Sequence, residues 1–382
     1  MDRKRLYLII SILTIIVAVF VVSQVVQRQD DQVAAPSIIR MASLLPLDGQ
    51  VASYGEMMRN GQLLAVEEIN RDSMSTPIEV TFFNTSHMKD VALDRLREAH
   101  QNGYRLVVEI FGSDQANHCL PFAIENGLTI LSGVDTRPDL IRLGKGAFYR
   151  IMPNDAAAAA ILVQWTQELG VENIGIVYVN DDWGKGLYEE ADNAARQRKV
   201  NVAIVADVIR HQSSFAGTVA KLKSNPIDAV MLFIYPDDGG NLIKEIHRQR
   251  LNTRIFATEN FTGDDMINAA GDAAIGVMLA VPKPSEDSTT LSQFQEQYVD
   301  RYGADPSIFA IKGYDAVKTL YIAAVQSGAD PLKTRETIRD LAIPGVGGFI
   351  SFAEDGEFIP GEYDRLVYTK EGENLALSPW TP

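Results

Sequence analysis

From Ile38 onward, short apolar runs alternate with longer stretches whose apolar positions recur at helical spacing. The runs Ile38–Leu45, Ile78–Asn84, Leu106–Phe111 and Leu128–Leu131 read as strands, and the stretches at about 55–70, 88–102 and 115–126 as helices between them. In the first helix Met58, Gly61, Ala65 and Ile69 make one small apolar face. Strand and helix in strict alternation predict a parallel sheet covered on both sides.

After "RIMPND" (150–155) the same unit starts again. Asp155 is expected to cap an alanine-rich helix that ends near Gly170. Strands follow at Ile174–Val179, Val202–Val208, Ala229–Phe233 and Ile255–Ala257, with helices at about 184–198, 214–224 and 239–250. Two doubly wound lobes with a cleft between them are the economical reading. After "LAVPKP" (279–284) two or three more helices run to about 341, and "GGFISFAEDGE" and "RLVYTK" read as closing strands.

The N-terminus departs from this pattern. Arg3-Lys4-Arg5 precede residues 6–26, "LYLIISILTIIVAVFVVSQVV", which carry no charge and are long enough to span a bilayer. Residues 1–26 are therefore expected to be a signal peptide or a membrane anchor, the run's length and the missing A-x-A favouring the anchor. The basic flank places the rest of the chain outside the cytoplasm. Residues 27–36 are a short linker, and no cysteine follows the apolar run to carry a lipid.

Composition narrows the function more than the fold. The chain has 382 residues, more than one core usually holds, and a net charge of −15. That charge argues against nucleic-acid partners, which need a basic surface. Cys119 is the only cysteine, which excludes an internal disulfide, and its helical surroundings suggest a buried, inert thiol. GxGxxG, P-loop, HExxH and G-x-S-x-G motifs are all missing, and the five histidines at 87, 100, 118, 211 and 247 form no pair at metal-ligand spacing. No enzyme activity and no cofactor are expected.

What remains is polar and aromatic chemistry at the ends of strands, where open α/β sheets bind ligands. "LPLDGQVASYG" offers Tyr54 after the first strand. "GSD" offers Ser113 and Asp114 at a helix start whose amides suit a carboxylate, and "SGVDT" offers Val134, Asp135 and Thr136. "NDDWG", "IYPDDGG" and "ATENFTG" add Trp183, Tyr235 and Glu259. Singly each reads as a cap or a loop-packing residue. Together they supply hydroxyls and amides from one lobe, aromatic rings from both, and an acid, a set suited to a small zwitterion.

The chain resembles the leucine/isoleucine/valine-binding protein family, type I periplasmic solute-binding proteins of ABC transporters, over roughly residues 38–370. The resemblance rests on "LPLDGQVASYGEMMRNGQLLAVEEIN", "LTILSGVDTRPDL", "FYRIMPND", "IGIVYVNDDWGKGL", "DPSIFAIKGYDAVKTL" and "GGFISFAEDGE". It implies two Rossmann-like lobes joined by three crossovers, near Pro153, Pro282 and Pro344. Lobe 1 would hold 37–153 plus 283–343, and lobe 2 154–282 plus 344–382. It also implies roles: Ser113 and Thr136 with the Val134 backbone for a ligand carboxylate, Glu259 for the ammonium, and Tyr54, Tyr235 and Trp183 as walls. Trp183 stands where the family has a tyrosine. The implied ligand is an amino acid, branched-chain, aliphatic or aromatic, delivered to an ABC permease and its ATPase. The alternatives are a membrane-tethered sensor, or a binder of an amide, urea-type or carboxylate solute. Asp114 and Asp135 bring extra negative charge near the expected carboxylate site, and strand alternation predicts that Asp135 points away from it.

Overall fold

A computed structural model describes residues 37–283, 288–372 and 374–381. The expectations for residues 1–36 lie outside the described residues. Among the described residues, no helix is long and apolar enough to cross a membrane.

The first sheet has five parallel strands in the order β2-β1-β3-β4-β5, built from Ile39–Leu45 (β1), Ile78–Asn84 (β2), Leu106–Ile110 (β3), Thr129–Ser132 (β4) and Phe148–Arg150 (β5). β1 and β3 are apolar on both faces apart from Arg40, Ser43 and Glu109, as a sheet sandwiched between helices requires. The second sheet has seven strands in the order β14-β13-β10-β9-β8-β6-β7. Its parallel part comprises Asn173–Val179 (β6), Asn201–Val208 (β7), Ala229–Phe233 (β8), Arg254–Thr258 (β9) and Val277–Pro282 (β10). Ala342–Gly345 (β11) and Gly348–Ser351 (β12) form a separate antiparallel pair. Tyr363–Glu371 (β13) and Asn374–Pro379 (β14) add antiparallel strands to the edge of the second sheet beyond β10. The two-lobed, doubly wound reading therefore describes the observed fold.

Three helices after the second sheet, Ser288–Tyr302, Ile308–Gln326 and Pro331–Asp340, return to the first lobe. Phe294, Tyr314, Val317 and Leu320 share a core with Ile39, Met41 and Leu106. The β11–β12 pair stays with that core too. Val346, Ile350, Phe352 and Phe358 are buried in it, and both carboxylate oxygens of Asp315 accept backbone N–H groups, from Val346 and Gly347, at 2.8 Å. The chain rejoins the second sheet at Tyr363, opposite Pro282.

One local expectation is corrected. Asn154, not Asp155, caps the helix Asp155–Glu168: its side-chain oxygen accepts the Ala157 N–H at 3.1 Å. Asp155 has helical geometry and is 2% exposed, its side chain turned inward. β5, β14 and the short helices Leu140–Gly144 and Asp264–Ala270 are elements that the hydrophobic pattern did not announce.

Candidate functional site

The carboxyl ends of both sheets face a common cavity. Its volume is about 70 Å³. Such a space suits a small solute. Ser113, Val134 and Thr136 line it from the first lobe, and Trp183, Tyr235 and Glu259 from the second.

The first-lobe wall is set by the turn after β3. Gly112 has φ +109°, and a Cβ there would lie 2.3 Å from the Gln115 side-chain oxygen, so only glycine fits. The turn starts the helix Ser113–Glu125, which has no side-chain cap, leaving its first amides to other partners. The Ser113 hydroxyl accepts the Arg137 N–H at 3.3 Å, so its own proton is available. The buried Thr136 hydroxyl faces the buried Asp155 carboxyl, whose rise it restrains.

Asp135 does not oppose a bound anion as an exposed charge. It is 1% exposed, and one carboxylate oxygen accepts the Gly112 N–H at 2.9 Å. Behind it lies fully buried Glu109, which accepts the Ser132 hydroxyl and the Gly133 N–H, each at 2.7 Å. Burial pushes Glu109 up to about 7, and burial together with Glu109 holds Asp135 well above the usual carboxylate range. Arg150, with a fully buried side chain, fixes the loop by donating to the carbonyls of Asp135, Arg137 and Pro138, and is held in turn by Glu357. Asp114 lies at the rim, where burial and the facing Asp182 carboxyl of the other lobe raise its pKa.

In the second lobe, Asp181 caps the helix Asp182–Arg198 through the Gly184 N–H at 2.8 Å, which sets Trp183 against the cavity. Trp183 leans on Tyr235 with ring centroids 5.2 Å apart, and the Arg210 guanidinium covers Tyr235 at 4.4 Å. Glu259 begins a short 3₁₀ turn directly after β9. Burial pushes its carboxyl up to about 7, with Asp155 adding to the rise. Its own backbone N–H is the hydrogen-bond donor that holds it, and the nearest opposing cation is Lys312. Lys312 is itself committed to the carbonyls of Ile151 and Gly347 at 3.1 and 3.3 Å. Glu259 is thus a half-buried acid without an ion-pair partner among the described residues.

Tyr54 stands one layer behind the cavity wall. Buried at 2% exposure, it stacks on Tyr235 at 5.7 Å and packs at a tilt against Phe309 at 5.0 Å, and its hydroxyl donates to Asp237 at 3.3 Å. The wall also contains residues that the sequence did not single out: His87, Phe111, Met152, Asn260, Ile308 and Phe309. The signal for Phe111 and Asn260 was their position beside Ser113 and Glu259. His87 and Phe309 reach the cavity only through tertiary packing. Cys119 is buried, as expected, and burial pushes its thiol up to about 12. His211, Asp237 and Asp238 converge, but the Arg210 guanidinium already neutralises both acids at 2.7 and 2.6 Å.

Two doubly wound lobes enclose a small aromatic-walled cavity at their strand ends, the architecture of a bilobal binding protein. Residues 38–362 match the periplasmic binding protein family, and the chain belongs to it. The family is extracytoplasmic. A leucine-, isoleucine-, valine-, threonine- and alanine-binding protein of Pseudomonas aeruginosa is 23% identical over 342 residues, 87% of this chain and 90% of the relative. Among solved structures, the branched-chain amino acid transporter substrate binding protein LivJ of Streptococcus pneumoniae, in complex with isoleucine, superposes with a TM-score of 0.79 at 20% identity, covering 90% of this chain and 100% of that one. A solute binding protein of an ABC transporter from Rhodopseudomonas palustris, in complex with 3,4-dihydroxybenzoic acid, superposes with a TM-score of 0.82 at 18% identity, covering 90% and 97%. These superpositions are likenesses of fold, and they include ligands with and without an ammonium group.

Proposed function

We propose that this chain captures an α-amino acid between its lobes and delivers it to an ABC permease and its ATPase. The observation that carries the choice of ligand is Glu259. A half-buried carboxylate held only by its own backbone N–H is poorly compensated, and an α-ammonium would complete it. An aromatic carboxylate without an ammonium would leave it unpaired beside a second negative charge. At the other end, the Ser113 and Thr136 hydroxyls and the first amides of the helix Ser113–Glu125 suit a carboxylate. Val134, Trp183 and Tyr235 would then contact the ligand's side, with Tyr54 backing Tyr235.

Ligand first meets the amides and hydroxyls of lobe 1, and lobe 2 closes over it by a hinge motion. A micromolar ligand supplies about −8 kcal/mol, enough to bias the closed form strongly. The uncharged run 6–26 behind Arg3-Lys4-Arg5 supports retention at the outer face of the membrane. The test is calorimetry of the full chain against the common amino acids, simple amides and benzoates. Tight binding of an amino acid that is lost in Glu259→Gln supports the reading; selective binding of a benzoate or a plain amide refutes it.

A further inference from the structure

Once Ser113, Thr136 and Glu259 are assigned to the two charged ends of an amino acid, the cavity wall still holds His87 among its polar side chains. Asn260 is already satisfied: its amide donates to the Ile234 carbonyl at 3.1 Å and its oxygen accepts the Thr258 hydroxyl at 2.8 Å. Asp135 is engaged with Gly112 through Oδ1 only, its Oδ2 being buried without a partner among the described residues. His87 is likewise unsatisfied. Its Nδ1 is buried and has no hydrogen-bond partner among the described residues.

The surroundings of His87 are apolar and its pose is held. The ring packs edge-on against Phe111 at 6.2 Å, and Phe111 packs on Phe309 at 5.7 Å. The backbone of His87 is left-handed, φ +56°, a conformation uncommon outside glycine. Two hydrogen bonds hold it: Gln115 donates to the His87 carbonyl at 2.9 Å, and the His87 N–H donates to the Thr85 hydroxyl at 3.3 Å. Burial, and behind it the charge of Arg210, lowers the imidazole to about 4, so it is neutral at pH 7. A neutral imidazole presents one donor and one acceptor nitrogen. Leaving such a group unpaired against a purely aliphatic side chain is costly, and a site that contains one discriminates against ligands that lack a partner for it.

We propose that His87 is a specificity-determining residue that selects an amino acid whose side chain carries an uncharged hydrogen-bonding group, a hydroxyl or a carboxamide, over an aliphatic isostere. The inference rests on the zwitterion reading of the cavity and deepens it by naming the side-chain class.

The experiment is calorimetry of the full chain with two near-isosteric pairs, threonine against valine and asparagine against leucine, on the wild type, His87→Phe and Glu259→Gln. The expected result is that the wild type prefers the polar member of at least one pair by on the order of tenfold. His87→Phe should abolish that preference, and Glu259→Gln should weaken every ligand alike. Valine and leucine binding the wild type as tightly as threonine and asparagine would overturn the proposal, whether or not His87→Phe folds. A polar preference that survives in His87→Phe would overturn it too. If none of the four binds, or if Glu259→Gln leaves binding unchanged, the zwitterion reading itself falls and this proposal with it.

Discussion

Arg210 of the second lobe donates through Nη2 to the backbone carbonyl of Gln50 in the first, at 3.1 Å. The same guanidinium is anchored at home by Asp237 and Asp238, at 2.7 and 2.6 Å. It also lies over the Tyr235 ring that walls the cavity. Tyr54, on the helix that Gln50 leads into, reaches back to Asp237. The lobes are therefore joined, one layer outside the cavity, by a mixed cationic and aromatic contact.

Arg210→Gln should loosen that closure without touching the ligand. A hydrogen bond to a charged group contributes about 1.5–3 kcal/mol. Dissociation should accelerate roughly 10- to 100-fold while association changes little, because affinity differences within one interface reside mostly in the off-rate. Stopped-flow fluorescence of Trp183 measures both rates. An unchanged off-rate would show that the contact merely accompanies closure.

Glu259→Gln keeps the shape of the side chain and removes the charge that pairs with the ammonium. Affinity should fall by roughly 2–5 kcal/mol, as when one partner of a buried charge pair is truncated. With the free carboxyl at about 7, the wild type must lose a proton to bind a cation, so its affinity should drop about tenfold per pH unit below pH 7. Titrations from pH 5 to 8 test both points, since the variant should lack the slope. A wild-type affinity flat across that range would contradict the assignment.

The site was legible in the sequence to the extent that it sits at strand ends. Ser113, Val134, Thr136, Trp183, Tyr235 and Glu259 each follow a strand directly, and parallel strands bring their carboxyl ends together. His87, Ile308 and Phe309 sit in a loop and at a helix start distant in sequence, and local pattern says nothing about which cavity they meet. Tyr54 also follows a strand, but the helix Ala52–Arg71 turns its ring against Phe309 and Tyr235 rather than into the open space. Asp155 misled for a related reason. Asn154 and Asp155 are equally good caps by type, and burial of one of them decided the matter. β5 was missed because three residues are too short to show a period.

The buried acids should give the ligand-free protein an unusual stability profile. Burial pushes Glu109, Asp155 and Glu259 up to about 7. Their unfolded values lie near 4, so between about pH 4 and 7 the native state binds more protons than the unfolded state, and stability falls as pH rises. Each group contributes a slope of up to about 1.4 kcal/mol per pH unit in that window. Thermal unfolding should therefore show a lower midpoint at pH 8 than at pH 5, and Asp155→Asn should flatten the decline. A midpoint that rises from pH 5 to pH 8 would refute this account.

Gly61 tests the packing that places the first-lobe wall. The small apolar face Met58, Gly61, Ala65 and Ile69 is buried, and a Cβ at Gly61 would lie 1.9 Å from the Ala310 carbonyl oxygen. That carbonyl belongs to the helix Ile308–Gln326, which also presents Ile308 and Phe309 to the cavity. Helix propensity alone predicts that Gly61→Ala stabilises by roughly 0.8–1.0 kcal/mol. The backbone contact predicts the opposite sign, because a carbonyl cannot swing aside as a flexible side chain can, and overpacking of this kind costs about 1–3 kcal/mol. Gly61→Ala should therefore lower the unfolding midpoint. It should also weaken ligand binding more than an equally destabilising change at Leu242, which is buried in the core of the second lobe away from this helix pair. Equal or greater stability in Gly61→Ala would mean that the two helices can separate freely, and that their close approach does not position the cavity wall.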